Sequence, residues 1–241
     1  MPGLLTLDRG NSSLDAMLHS DPPERRRFDP DDADGAFCWS AAPTRVVGLS
    51  VVPGGLDSCA ALAQARGLDL QVAGRDLRCP LRLAYPEPER LGVDRWVGAV
   101  AAREQFGTAV VVDCGTALTI NLVTADGVFH GGAIAPGPHT MARSLATEAP
   151  ALPAVDLRGD AGLPATSSES AVNAGVVVGF CSMVDGLVDA CLEAAGLPAA
   201  EVVLTGGGAF VYQRCGARPC HFEPDLIHQG LRWLAARNSN S

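Results

Sequence analysis

Two apolar strands in this chain run into the same kind of turn, and that repetition limits the fold more than any other feature. Leu4 to Leu7 leads into Asp8-Arg-Gly-Asn-Ser12, and Thr108 to Val112 leads into Asp113-Cys-Gly-Thr116. One Asp-x-Gly turn is ordinary, because Asp hydrogen-bonds within its own turn and Gly accepts unusual backbone angles. Two of them, each closing an apolar strand and each followed by a possible returning strand, read as related halves built around phosphate. Gly10 and Gly115 remove a side chain where backbone must approach a phosphate. Asn11, Ser12 and Thr116 offer neutral donors to its oxygens. Asp8 and Asp113 would hold a cation that neutralises charge on a phosphoryl group in transfer. The expectation is that the two turns face each other across a cleft.

The rest of the pattern fits a helix-and-sheet chain with a division near Gln105 to Gly107, giving halves 1–106 and 107–241. Val46 to Pro53 reads as a buried strand, and Leu56 to Arg66 as a helix stopped by Gly67. Asp21 to Gly35, with its Pro pair, Arg triplet and acidic run, reads as a charged surface loop or poorly ordered insertion. Leu68 to Val72 and Leu81 to Tyr85 read as short strands. A helix follows the Pro-bearing segment and runs through Glu104. Leu118 to Val123 and Val128 to Ile134 form a hairpin pattern. Thr166 with Glu169 predicts a capping box. It would open a long helix with Val172, Val176, Phe180, Met183 and Leu187 on one face and Gly175 and Gly179 leaving a groove. Val202 to Leu204 is a strand, and Leu226 to Arg237 a terminal helix.

With 241 residues and 47% hydrophobic content, the chain can bury one large domain or two small ones. Its net charge is −9 and its basic residues are all Arg. No basic stripe of the kind that displaces counterions from nucleic acid is present. An acidic chain can still hold a nucleotide, since backbone N–H groups and a metal ion act locally on phosphate. The N-terminus lacks a secretory pattern, and no apolar run looks long enough to span a bilayer, so a cytoplasmic protein without a membrane partner is expected. The eight cysteines are scattered and read as reduced thiols. The five histidines show no triad or metal-cage spacing. No Gly-x-Ser-x-Gly elbow and no P-loop appears.

Two further segments carry chemistry. Thr205-Gly-Gly-Gly208 after a strand suits a floor for a nucleotide, or a plain strand-to-helix turn. Asp94 sits where a glycine-bearing turn meets a helix, whose N-terminus favours an ionised carboxylate. It is the candidate general base, because the group that accepts an alcohol proton must be ionised beforehand. As Asp also caps helices well, cap and base both remain open from position alone.

In order along the chain, Asp8-x-Gly-Asn-Ser, Ser50-Val-Val-Pro53 and Tyr85-x-x-Pro-x-x-Leu-Gly-x-Asp-Arg95 resemble the type III pantothenate kinases. So do Asp113-x-Gly-Thr-Ala-x-Thr119, Gly131-Gly-x-Ile-x-Pro-Gly137, Leu204-Thr-Gly-Gly207 and Pro224-Asp-Leu226. The resemblance implies an α/β fold of two ribonuclease H-like, actin-like halves, a homodimer, and ATP-dependent phosphorylation of pantothenate, the first step towards coenzyme A. Residue by residue, it implies phosphate loops at Asp8, Gly10, Asn11 and Ser12 and at Asp113, Gly115 and Thr116. Gly206 and Gly207 would serve the nucleotide. Tyr85, Gly92, Val93, Asp94 and Arg95 would line the pantothenate pocket, with Ser168 as a further substrate contact and Asp94 as base. It implies Mg²⁺ at Asp8 and Asp113, and a monovalent cation, K⁺ or NH₄⁺. Arg9, Glu87 and Asn121 depart from the family pattern: Arg9 would crowd or charge the first loop, and Asn121 removes a carboxylate near the cation site. Two rival readings are a regulatory relative of the Bvg accessory factor kind and a kinase for another small hydroxy acid.

Overall fold

The computed structural model describes residues 3–238. Strands β1 (Leu4–Arg9) and β2 (Leu14–His19) form an antiparallel hairpin closed by the first Asp-x-Gly turn. The segment expected to be an open loop supplies β3 (Glu24–Phe28), antiparallel to β2, and the short helix α1 (Ala33–Ala36). Its charges are what hold it. Arg25 clasps the Asp15 carboxylate with two hydrogen bonds of 2.8 Å, and Arg26, on the opposite face, stacks over Trp39.

The chain continues through β4 (Arg45–Ser50), α2 (Asp57–Ala65), β5 (Leu70–Val72) and β6 (Arg82–Leu83). A 3-10 turn at Pro88–Arg90 precedes α3 (Val93–Phe106). The first sheet runs β3-β2-β1-β4-β5, with β1, β4 and β5 parallel. Leu5, Leu7, Leu14, Leu18 and Val46 alternate onto one face and pack with α1 and α2 residues such as Ala36, Leu56 and Ala63. Each fully buried Leu contributes about 1.5–3 kcal/mol by leaving water.

The second sheet carries β7 (Ala109–Cys114), β8 (Ala117–Val123) and β9 (Val128–Pro136), an antiparallel meander. Helix α4 (Pro138–Glu148) and helix α5 (Ser168–Ala194) follow. Next come β10 (Glu201–Thr205), α6 (Ala209–Cys215) and β11 (His221–Phe222). The strand order is β11-β10-β7-β8-β9, and β10 is parallel to β7. Val176, Phe180, Val184 and Val188 of α5 are buried with Ile120, Leu122 and Tyr212. Its capping box is Ser167 with Ser170, not Thr166 with Glu169, because the side chain of Ser170 returns to the Ser167 N–H. By length and composition α5 is also apolar enough to cross a bilayer, contrary to expectation; 39% of its apolar window is buried, and it packs on β8, α4 and α6.

Helix α7 (Leu226–Asn238) returns to β1 and β4. One compact unit therefore comprises the chain up to Ala101 and from Asp225 onward, and the other comprises Ala102–Pro224. The expected halves, 1–106 and 107–241, assigned α7 to the second. Its placement follows from His228, buried on α7, whose Nδ1 lies 2.9 Å from Thr6 Oγ1 on β1.

Candidate active site

In the first unit the parallel strands end together, with Arg9 beside Ser50 and Gly48 beside Val72. The Val51 N–H donates to the Arg9 carbonyl at 3.1 Å. Past β5, Gly74 packs on Val93, the first residue of α3. The Asp8 loop, the Ser50–Pro53 turn and the start of α3 thus lie along the carboxyl edge of parallel strands, where open α/β sheets place ligands. The Gly10 N–H donates to the Ser13 carbonyl at 3.0 Å and leaves Asn11 and Ser12 exposed. Arg9 brings its charge to this loop, at the Gly10 carbonyl. Strand alternation sends it to the face opposite Asp8, where it is buried against Gly55 and hydrogen-bonds the Gly10 carbonyl.

Asp94 is the second residue of α3, inside the helix rather than at its cap, and its Oδ1 accepts the Arg95 N–H at 2.9 Å. Burial pushes its pKa above the ordinary carboxylate value, against the lowering by the Arg95 N–H and charge. The expectation that the helix end alone would favour ionisation is therefore reversed by desolvation. A raised pKa makes the carboxylate a stronger base wherever it is ionised. Gly92 has a steric reason to be glycine: a Cβ there would stand 2.7 Å from Asp94 Oδ1. Tyr85 is half-buried and Arg95 buried. Glu87 is spent on an exposed ion pair with Arg90 at 2.7 Å.

Asp15 stands directly across from Asp8 on the same sheet face, so two carboxylates are neighbours there. Arg25 and His228 hold Asp15 as an anion, its pKa well below the usual range despite burial. Thr6 joins His19 and His228 at 3.0 and 2.9 Å, which completes a buried polar network under β1. Sequence reading missed this network because its partners come from both ends of the chain.

In the second unit Asp113 pairs in register with Thr205, so the two glycine-bearing turns leave neighbouring strands at the same edge. Gly206, with φ +88°, lies directly over Asp113: a Cβ would meet Oδ1 at 2.4 Å. The Gly208 N–H donates to the Cys114 carbonyl at 2.8 Å. Gly137 presses on the Gly115–Thr116 turn and donates to the Thr116 carbonyl at 3.1 Å, while Thr140 Oγ1 donates to that carbonyl at 2.7 Å. Asp113, Gly115, Thr116, Gly206 and Gly207 are therefore gathered. Thr140 was missed, and only its position four residues into the Pro136-Gly137 segment hints at it. Asn121 is buried on the same sheet face as Asp113 and donates to Thr119 Oγ1 at 2.9 Å. Ser168 is exposed on the first turn of α5 and is not brought to this loop.

Two sheets, each with a strand-ending phosphate-type loop, define an actin-like kinase fold. Its outline matches a solved archaeal actin homolog with a TM-score of 0.50 and 12% identity, covering 97% of this chain and 99% of that one. A conserved Baf family chain from Campylobacter jejuni matches with a TM-score of 0.67 and 19% identity, covering 98% and 100%. The sequence profile of the family described as type III pantothenate kinase matches residues 4–190. A relative of that name from Desulfovibrio desulfuricans is 40% identical over 78% of this chain and 73% of its own length. One from Hyphomonas neptunium is 30% identical over 98% and 99%. The chain belongs to the type III pantothenate kinase family.

Proposed function

We propose that this protein transfers the γ-phosphoryl group of ATP to the primary hydroxyl of pantothenate, giving 4'-phosphopantothenate and ADP. The observation that carries this reading is the gathering, along one sheet edge, of the Asp8 loop and the start of α3, where the Asp94 carboxylate has its pKa raised by burial. Asp94 takes the hydroxyl proton as the substrate oxygen bonds to phosphorus and the bond to the β-phosphate oxygen breaks. Arg95 is the cation for the substrate carboxylate, and Tyr85, Gly92 and Val93 shape its pocket. The exposed donors of Asn11 and Ser12, with Thr116, Gly206 and Gly207, serve the phosphates and nucleotide. Ser168 would reach substrate only if the first turn of α5 supplies it.

Asp8 and Asp113, each closing a strand at its own loop, are the carboxylates assigned to Mg²⁺. Each loop thus carries one such carboxylate, and Mg²⁺ is an ion that takes one or two carboxylates and completes its shell with water and phosphate. When bound, Mg²⁺ neutralises charge on the transferring group. The reading includes K⁺ or NH₄⁺ as a further cation. It also includes a homodimer through α5, whose exposed Gly175, Gly179 and Gly186 would allow a second helix to approach closely.

The test is ADP formation by purified protein with Mg²⁺, ATP and a panel of small hydroxy acids, with K⁺ or NH₄⁺ present. The expected result is pantothenate-dependent ADP and a phosphorylated product. Turnover only with another hydroxy acid would move the substrate, and a folded chain inactive on all of them would point to a regulatory protein.

A further inference from the structure

Cys181 is buried on α5, and Cys215 is exposed at the last position of α6. Their sulfurs stand 3.0 Å apart, and both thiols lean on the Val211 carbonyl, at 3.5 and 3.7 Å. That gap is about 1 Å longer than a disulfide bond, so small side-chain movements would close it. Among the described residues no other two thiols are in contact.

We propose that Cys181 and Cys215 form a modification site for hydroperoxides, which convert the pair to a disulfide joining α5 to α6. The exposed Cys215 is the point of entry, since oxidation follows access and thiolate character. Its thiolate attacks one oxygen of the hydroperoxide. The O–O bond breaks, an alcohol or water leaves with a proton, and Cys215 becomes a sulfenic acid. Cys181 sulfur then attacks that sulfur, and the leaving hydroxyl departs as water with the Cys181 proton. In sum, two thiols and one hydroperoxide give one disulfide, one alcohol and one water. Burial raises the Cys181 thiol pKa, which leaves the attack on the hydroperoxide to Cys215.

The bond would matter to the nucleotide side of the molecule. Helix α6 starts immediately after Gly206-Gly-Gly208, the turn that lies over Asp113 and bonds Cys114. Fixing its far end to α5 restrains that turn, and a rise in the KM for ATP of at least about threefold is expected, roughly 0.7 kcal/mol. This last consequence rests on the kinase reading; the disulfide itself does not.

The experiment reduces the purified protein, exposes it to hydrogen peroxide, removes the peroxide, blocks free thiols with iodoacetamide in denaturant and maps peptides without reduction. The expected outcome is loss of two of the eight free thiols through a Cys181–Cys215 link that dithiothreitol reverses. Cys215→Ser should abolish the link and leave Cys181 alkylated, while Cys38→Ser, at another exposed thiol, should leave it intact. Oxidation of Cys38 with both thiols of the pair still free would overturn the site, as would equal linkage in guanidinium. An unchanged KM for ATP in the linked, active enzyme would overturn the coupling alone. A linked protein inactive both before and after oxidation would sink the kinase reading and leave the dithiol site standing.

Discussion

A methyl group added at Gly10, in the first loop, would lie 3.7 Å from the Ser13 carbonyl, an ordinary contact. At Gly115, its counterpart in the second loop, it would lie 3.3 Å from the Ala117 carbonyl oxygen, and at Gly206, in the turn that lies over that loop, 2.4 Å from Asp113 Oδ1 and 2.7 Å from the Cys114 carbonyl carbon. At Gly137 it would lie 2.1 Å from the Gly115 carbonyl oxygen. The second loop is clamped between other backbone segments, so its neighbouring glycines answer to packing. The first is held by the Gly10–Ser13 turn hydrogen bond, the Arg9 hydrogen bond to the Gly10 carbonyl and the hairpin beneath it, and packing does not demand its glycine. The open space at Gly10 is room that a bound phosphate could use. Glycines gathered at phosphate-type turns can thus have different causes, and those that packing demands do not speak directly for a ligand.

The contrast breaks most readily at Gly206. Gly206→Ala forces a side chain into a φ of +88° and against immovable backbone, and should cost about 3 kcal/mol or more of stability, read by denaturant unfolding. A loss below about 1 kcal/mol would show that the second loop is not clamped.

The support beneath the first loop is next. His19 has its pKa lowered to about 4 by burial, with His228 and Arg232 nearby. A depressed pKa means stability that is present above 6.5 and is lost as pH falls through about 4, worth up to about 3 kcal/mol. Asp15, also depressed, acts only below its unfolded value of 3.8. Asp94, raised, works in the opposite sense, so Asp94→Asn provides the background for separating it. His19→Gln should flatten the stability profile between pH 6.5 and 4; an unchanged slope would remove His19 from the network.

The smallest stability effect is expected at the first loop itself. Gly10→Ala should change unfolding free energy by less than about 1 kcal/mol while raising the KM for ATP or lowering kcat by roughly tenfold. A variant that loses stability but keeps its ATP kinetics would invert the comparison.

Much of this was legible in the residues. Both loops, most of the strands, α3 and α7 follow from apolar runs and glycine stops, and each loop forms where its strand ends. Strand β3 was not legible, because Arg25, Arg26 and Arg27 read as solvated charge until Asp15 and Trp39 are placed opposite them. Helices α4 and α6 were missed because a Pro-Gly pair and a glycine triplet read as turns and conceal the helices they open. The position of α7 could not be read at all. It depends on His228 meeting Thr6 and Asp15 from the far end of the chain. At the candidate site, Asp94 was singled out by its place where a glycine-bearing turn meets a helix, but the direction of its pKa required knowing how deeply it is buried.

The most direct test compares Asp94→Asn with the unaltered enzyme in a single turnover, with ATP binding measured alongside. Loss of the base should slow phosphoryl transfer to pantothenate by about 10²–10⁴-fold, while ATP affinity stays within about threefold and folding stability within about 1 kcal/mol. Transfer at an undiminished rate would contradict the account, because the proton of the attacking hydroxyl would then be leaving by another route.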